Sequence, residues 1–349
     1  MIKFGWPTVV AYCVGVLFGA YLLRPQKRKR SEFVYAGCVE RLFIHPIKSC
    51  RGVEVDFVDC TPRGAKNGFL RDREFLVVDE ANDHQFLTAR AFPSLVLVEA
   101  EVDEDELRVR LPGEWTVRVG LEEVTQRNDV RRAHLHDNKR ADGLDCGDLI
   151  ADAFTRYLRL EGKRRCRLLR FSEDLYTERD LMASDDVWNN PVPKGFQDHI
   201  LYADSTSFTI NTRGSLENLN DRLMADKLEV CFPNRFPVDI RNFRPVIFVD
   251  GPEAFEEDRW SEVEIGDAKL IAFRPCSRCV MTTVDPNSGI ADKKMQPLKK
   301  LKEYRLAPEG KLRKFFKQKP IFGVHLGVQR CGRIRVGDSV FVSYKHSAF

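Results

Sequence analysis

The chain has 349 residues, 43% hydrophobic and 31% charged, the balance of a folded globular protein rather than a disordered one. Its formal net charge is +4, but residues 1–30 carry six Lys/Arg and no Asp/Glu, leaving 50 basic against 52 acidic residues in the remainder. A body so near neutrality argues against nucleic acid as the main ligand, because phosphate binding needs a cationic surface.

The stretch from Phe4 to Leu23 runs 20 residues without a charge, about the length a helix needs to cross hydrocarbon. "RPQKRKR" follows it with five basic residues, against the single Lys3 before it. A secretory signal would want a shorter apolar run and a small-residue cleavage site, and a buried core helix would rarely end in a cationic block. Residues 1–30 are therefore predicted to be a single-pass transmembrane anchor, with Arg24 onward on the cytosolic side. The ten cysteines include only one close pair and show no disulfide rhythm, so most read as small buried hydrophobes of a reducing compartment.

From Cys38 onward, short apolar runs are broken by Gly, Asp, Asn and Pro. "VERLFIHPIKS", "REFLVVDEANDHQFLTA", "SLVLVEAEVDEDELRVRLP" and "WTVRVG" read as strands and hairpins, with the acidic 103–106 as a solvated hairpin turn. Cys146 to Leu160 reads as a helix with Leu149, Phe154 and Leu158 on roughly one face. A polar, Pro-containing stretch then reads as a connecting loop, assigned here to 166–199. The second β-rich half contains one helix, Gly214 to Met224, with Ser215 as N-cap and apolar residues at 216, 219 and 223. "VIFVDG", "EIGDAKLIAF" and "IRVGDSVFVSY" complete its strands. No repeat of 20–50 residues is visible. The expected fold class is mixed α+β, mainly β, with a closed barrel-like sheet, a β-rich domain over 36–165 and a second over 200–346.

The chemistry concentrates in "RPCSRCVMTTVDP", Arg274 to Pro286. A structural zinc site wants four N/S ligands, usually as two paired motifs. Here there is one C-x-x-C, and "HLH" at 134–136, far away in sequence, reads as strand surface. A redox dithiol should open a helix after a βαβ strand, whereas "TTVDP" suits an extended segment. A third reading makes one thiolate a ligand for a thiophilic metal, with Arg274 and Arg278 favouring the thiolate. Taken alone, the stretch is explained as well by inert packing cysteines.

It belongs to an ordered set of five segments: "HPIKSCRG" (45–52), "GFLRDREFLV" (68–77), "YADSTSFTINT" (202–212), "RNFRPVIFVDG" (241–251) and, containing it, "GDAKLIAFRPCSRCVMTTVDPNSG" (266–289). Together the set resembles the MOSC family, named for the C-terminal domain of molybdenum cofactor sulfurase, and within it the amidoxime-reducing branch. The resemblance spans most of 38–343. It implies a MOSC β-barrel with an associated β-rich N-terminal MOSC domain, and Mo-molybdopterin (the molybdenum cofactor) as cofactor.

By matching positions, the resemblance makes Cys279 the protein ligand of molybdenum, with Cys276 a neighbour. Lys48, Ser49, Arg73, Arg244, Ser277 and Arg278 match positions that hold the anionic cofactor, and Asp204, Ser205 and Thr206 lie where the second half contacts it. A plain ion pair with Asp72 or Glu74 would also explain Arg73, and a strand-end surface position would explain Arg244. Asp204 is additionally a candidate proton relay, on the expectation that its pKa is tuned upward. "CFPNRFPVDIRNFRP" (231–245) is longer than the family pattern before "NFRP", which leaves Asn234 and Arg235 without a role, and 172–199 matches least.

The implied activity is reduction of N-hydroxylated compounds (amidoximes, hydroxylamines, hydroxamic acids) to the amine or amidine plus water. Electrons would come from NADH through cytochrome b5 reductase and cytochrome b5, since no haem or flavin motif is evident. The implied location is the outer mitochondrial membrane, with the catalytic body facing the cytosol. The main rival is a non-catalytic carrier of the same cofactor, and a membrane scaffold without activity is a third reading. Residues 293–319 hold eleven Lys/Arg against two Glu. That run is either a solvated face or a docking surface for an acidic electron carrier or anionic lipid.

Overall fold

In the computed structural model, residues 32–136, 139–160, 162, 164–175, 199–225 and 237–349 are described. Seven strands close into a barrel in the order Val34–Ile44, Ser339–Tyr344, Trp260–Ile265, Ala268–Ser277, Ile321–Arg330, Phe208–Thr212 and Ile247–Asp250, the last pairing back to the first. Six contacts are antiparallel, and Phe208–Thr212 with Ile247–Asp250 is parallel. An odd ring demands this: direction alternates across every antiparallel contact, so seven strands close only with an odd number of parallel ones. Parallel neighbours cannot be joined by a hairpin, and the helix Arg213–Ala225 lies in their connection. Inside the barrel sit Leu42, Ile210, Trp260, Val263, Leu270 and Leu326, all essentially inaccessible to water.

Three smaller sheets complete the body. Val130–Arg131, Gly143–Asp145, Cys166–Arg170, Phe75–Asp79 and Gln85–Phe86 form one sheet, and Glu99–Asp103, Glu106–Arg110 and Val117–Gly120 a meander. A fourth sheet pairs Gly332–Arg335 with Phe57–Thr61, then Gly64–Asn67 and Leu70–Arg71. The two sequence halves are thus interleaved. The first barrel strand comes from the N-terminal side, a strand of the fourth sheet comes from the C-terminal side, and Phe33–Phe349 pack as one unit.

Most expected elements are present. Asp103 and Glu106 face each other across the acidic hairpin turn. Four readings change. "SLVLV" forms the 3-10 turn Pro93–Leu97, opened by a proline that cannot donate to a ladder. Cys166–Arg170 is a fully paired strand, so the connection between halves begins after it rather than at 166. The helix Asp148–Tyr157 buries Ile150, Ala153 and Phe154 and leaves Leu149 58% exposed. Each fully buried Ile or Phe contributes roughly 1.5–3 kcal/mol, so the face carrying both outweighs the one carrying Leu149. Finally, Thr212 rather than Ser215 caps the second helix: its hydroxyl accepts from Ser215 N at 3.3 Å, while Ser215 is buried inside. Among the described residues no helix is long and apolar enough to cross a membrane; the expected anchor, residues 1–30, lies outside them, as do Asn234 and Arg235.

Candidate functional site

The strand Ala268–Ser277 delivers "CSRC" to the barrel end. Cys276 is buried within it, and burial pushes its thiol pKa up. At Arg278 the chain leaves the strand, with its N–H donating to Pro320 O at 2.8 Å. The Arg278 side chain turns inward: Nε donates to Phe322 O (2.7 Å), Nη1 to Phe243 O (2.6 Å) and Nη2 to Asn211 Oδ1 (3.1 Å). Cys279 stays half-buried and opens the 3-10 turn Val280–Thr283, its carbonyl accepting from Thr282 N and Oγ1 at 3.1 and 2.9 Å. The residues after Cys279 therefore coil before they extend, where the sequence suggested extension throughout. Thr282 and Thr283 each donate from Oγ1 to the carbonyl three residues back, to Cys279 O and Val280 O, local bonds that compete with an extended backbone.

"NFRP" is the clamp on this turn. Asn242 Nδ2 donates to Thr282 O and Val284 O, both at 3.0 Å. Phe243 packs on Phe322 (centroids 4.2 Å apart) and beneath the Arg278 guanidinium at 5.4 Å. Arg244 follows, with Nη1 donating to Cys50 O at 2.6 Å and Nη2 buried without a partner among the described residues. Pro245 then leads into the next strand.

Three candidate residues, Ser49, Arg73 and Arg244, hold the left-handed backbone, at φ of 71°, 53° and 52°. Such conformations cost roughly 1–3 kcal/mol each in a non-glycine residue and persist only where surroundings enforce them. The enforcement is visible: Arg73 N donates to His45 O (2.7 Å), Tyr202 N to Arg73 O (3.1 Å) and Lys48 N to Phe75 O (2.9 Å). Lys48 is buried, and its Nζ donates to Tyr202 O and to Asp204 Oδ1, both at 2.7 Å. Arg73 does pair with Asp72, and it also extends toward Arg244 O at 3.5 Å.

Cations therefore crowd one place. Burial, then Arg73, presses Arg244 down to about 9, and burial lowers Arg274 as well. Burial, then Arg244 and Arg73, carries His45 to about 3, and His325 falls well below its ordinary value by burial, Arg274 and Arg278. Two neutral imidazoles and several repelling guanidiniums surround the cysteine segment. Their donors and charge suit an anion.

The MOSC N-terminal beta barrel domain matches residues 36–161 and the MOSC domain residues 197–341. Mitochondrial amidoxime reducing component 2 of Bos taurus is 37% identical over 320 residues, covering 91% of this chain and 86% of its own. The human component 2 is 36% identical over 324 residues with the same coverage, and human component 1 is 34% identical over 342, covering 97% and 93%. The chain belongs to the amidoxime reducing component branch of the MOSC family.

Against that family, the expected cradle divides into two groups. Lys48, Ser49, Arg73 and Arg244 converge through the hydrogen bonds above, and the orphaned Arg244 Nη2 marks where an anionic group fits. His45, Asn242, Arg244 and Met281 also line a cleft of about 160 Å³. Among the described residues no cluster of three or more His, Cys, Asp or Glu could hold a metal ion. Ser277 ends its strand half-buried beside Cys276. Arg278 differs from expectation: its donors go to Phe322, Phe243 and Asn211, so it holds the Cys279 turn rather than pointing to a ligand.

Asp204 also departs from its expected role. Desolvation pushes its carboxyl up, but Lys48 overrides this by charge and hydrogen bond and carries it down to about 2. With 55% of the side chain open to solvent, the attraction dominates. Its carboxyl is thus held down rather than tuned upward as expected, and its contact in the structure is with Lys48. Thr206 is buried, donating to Phe208 O at 2.9 Å and lying 3.1 Å from His325 Nδ1, with Ser205 half-buried beside it. Sequence reasoning passed over His45, Asn211 and His325, and it read "HLH" as remote surface. His136 stacks edge-on to Phe86, pairs with Arg90 and acts electrostatically on Asp204. An isolated bridge of His134 with Gln85, with Phe86 N donating to His134 O, brings it there, and no local pattern announces that contact.

Proposed function

We propose that this chain is a molybdenum-cofactor-dependent reductase of N-hydroxylated compounds, converting amidoximes, hydroxylamines and hydroxamic acids to the amidine or amine plus water. The observation that carries it is a half-buried thiol, Cys279, beside a prebuilt cluster of buried and half-buried cations in which Arg244 Nη2 has no partner among the described residues. When bound, the cofactor supplies two-electron exchange at its metal. Cys279 supplies the protein thiolate, and Arg244, Arg73, Lys48 and Ser49 bind the anionic part of the group. Arg278 and Asn242 fix the Cys279 turn, and Lys48 is itself oriented by Asp204. Electrons come from NADH through cytochrome b5 reductase and cytochrome b5. The relatives are named mitochondrial, and an outer-membrane position with the body in the cytosol agrees with the basic flank after Leu23.

The test is benzamidoxime reduction by the full chain loaded with the molybdenum cofactor, driven by reduced viologen, in wild type and Cys279→Ala. Turnover in the wild type and none in the variant supports the reductase. Retention of the cofactor by the wild type without turnover would overturn it and favour a carrier.

A further inference from the structure

The eleven basic residues of 293–319 are not used by the site described above, and the structure sorts them. Lys300 is buried and paired with Glu303, Arg305 is paired with Asp258, and Arg313 with Glu309 at 3.1 Å. Lys293, Lys294, Lys299 and Lys302 instead stand exposed around a concavity of about 490 Å³, whose wall includes Met295, 39% exposed. Lys293, Lys299 and Lys302 have no acidic partner at ion-pairing distance among the described residues. Like charges three apart on a helix, as Lys299 and Lys302 are in Leu298–Tyr304, repel one another. A fold gains nothing from that arrangement.

Its position is the second observation. Asp292 N donates to Thr283 O at 2.9 Å, and Asp292 Oδ1 accepts from Lys294 N and Gln296 N at 2.8 and 3.1 Å. The helix Leu298–Tyr304 packs directly on Val280–Thr283, the turn that Cys279 opens. The concavity and Cys279 thus lie on one hydrogen-bonded unit, with a single 3-10 turn between them.

We propose that this concavity is the docking surface for an acidic one-electron carrier that reduces the site. The inference rests on the reductase reading. Reduction of an N–OH group to N–H and water consumes two electrons and two protons, so a one-electron carrier is oxidised in two successive encounters. It must arrive quickly and leave quickly, which favours a small, charge-steered contact over a large apolar one. A concave, lysine-rimmed surface with one exposed methionine fits a convex acidic protein. A bilayer is flat and would bring few of these ammonium groups into its headgroup layer.

The test compares wild type with Lys293→Glu/Lys299→Glu/Lys302→Glu in the full chain, cofactor loaded and in neutral detergent. Reduced viologen and reduced cytochrome b5 serve as donors, and binding of cytochrome b5 is measured directly by thermophoresis. At low salt the cytochrome-driven rate is expected to fall on the order of 10- to 100-fold, with binding weakened in parallel. The viologen-driven rate should stay within about two-fold, which also shows that the fold is intact. An unchanged cytochrome-driven rate and affinity would overturn the proposal. So would an equal loss from Lys311→Glu/Lys314→Glu/Lys317→Glu, or a loss confined to anionic vesicles, which would make the patch a lipid surface. A wild type that binds cytochrome b5 through these lysines but fails with viologen would overturn the reductase reading alone.

Discussion

Arg278, buried, and Arg244, half-buried, are both guanidiniums matched by the resemblance to cofactor-holding positions, and the structure gives them opposite energetics. Arg278→Met removes three charge-assisted hydrogen bonds, to Phe322 O, Phe243 O and Asn211 Oδ1 at 2.7, 2.6 and 3.1 Å, and strands those acceptors in the interior. Each such bond is worth about 1.5–3 kcal/mol. Against that stands relief of the buried cation, whose pKa is lowered by burial. The net cost is roughly 3–5 kcal/mol, the range of severe single substitutions. Arg244→Met removes one bond, to Cys50 O at 2.6 Å, and also removes a half-buried cation repelled by Arg73. These nearly cancel, so the cofactor-free variant should lie within about 1 kcal/mol of wild type. Urea unfolding of the cofactor-free chain, followed by fluorescence of the fully buried Trp260, measures both. If Arg278→Met matched wild type, or if Arg244→Met were the less stable variant, the division into turn-holding and anion-facing arginines would be wrong.

Cys279→Ala should abolish benzamidoxime turnover while shifting cofactor-free stability by less than about 1 kcal/mol, since a half-buried thiol makes few contacts to lose. Lys48→Met frees Asp204. Because Asp204 is depressed in the fold to about 2, it contributes stability above its unfolded pKa that is lost as pH falls toward 2; in Lys48→Met that acid-limb dependence should shrink in unfolding measured between pH 5 and pH 2. Glu257 has the opposite sign. Fully buried, hydrogen-bonded by Ser215 and Thr212 and near Asp258 and Arg305, it is raised by burial and Asp258 from 4.5 to about 7. The folded state then binds more protons than the unfolded chain above pH 4.5, so the stability from this group falls as pH rises from 4.5 toward its raised value. Glu257→Gln should flatten that limb; an unchanged pH profile would show that Glu257 stays ionised.

The barrel and its strands were legible because each leaves a local trace: Val- and Ile-rich runs, Gly-Asp turns at 266 and 337, and an acidic hairpin at 103–106. Interleaving was not, since nothing in Val34–Ile44 says its partners are Ser339–Tyr344 and Ile247–Asp250 rather than its chain neighbours. Helix faces were partly legible. Leu149 and Ile150 are equally apolar, and only the facing core decides which turns inward. In the site, motif order marked Cys279, Lys48, Arg73 and Arg244. It could not tell Arg278, whose Nε, Nη1 and Nη2 each donate inside the protein, from Arg244, with one nitrogen unpartnered among the described residues, because that difference lies in acceptors from Asn211, Phe243 and Phe322. His45 and His325 were invisible for the same reason: a neutral buried imidazole depends on which arginines surround it.

Strain and repulsion in this site point the same way. Ser49, Arg73 and Arg244 are all left-handed; Arg73 is held by backbone bonds to His45 and Tyr202, Ser49 follows Lys48, which is tied to Phe75, and Arg244 N donates to Arg241 O. Those bonds form whether or not an anion is present, so the conformational cost is met by folding and not at binding. The electrostatic cost is different. Arg244 and Arg73 remain mutually repelling until a negative group arrives, which makes occupancy relieve a tension the fold has already fixed in place. A flexible cationic loop would bind the same charge by ordering itself and would lose affinity to that ordering. Here the ordering is complete beforehand, and the positive charge faces the thiol-bearing turn that Asn242 and Arg278 hold rigid.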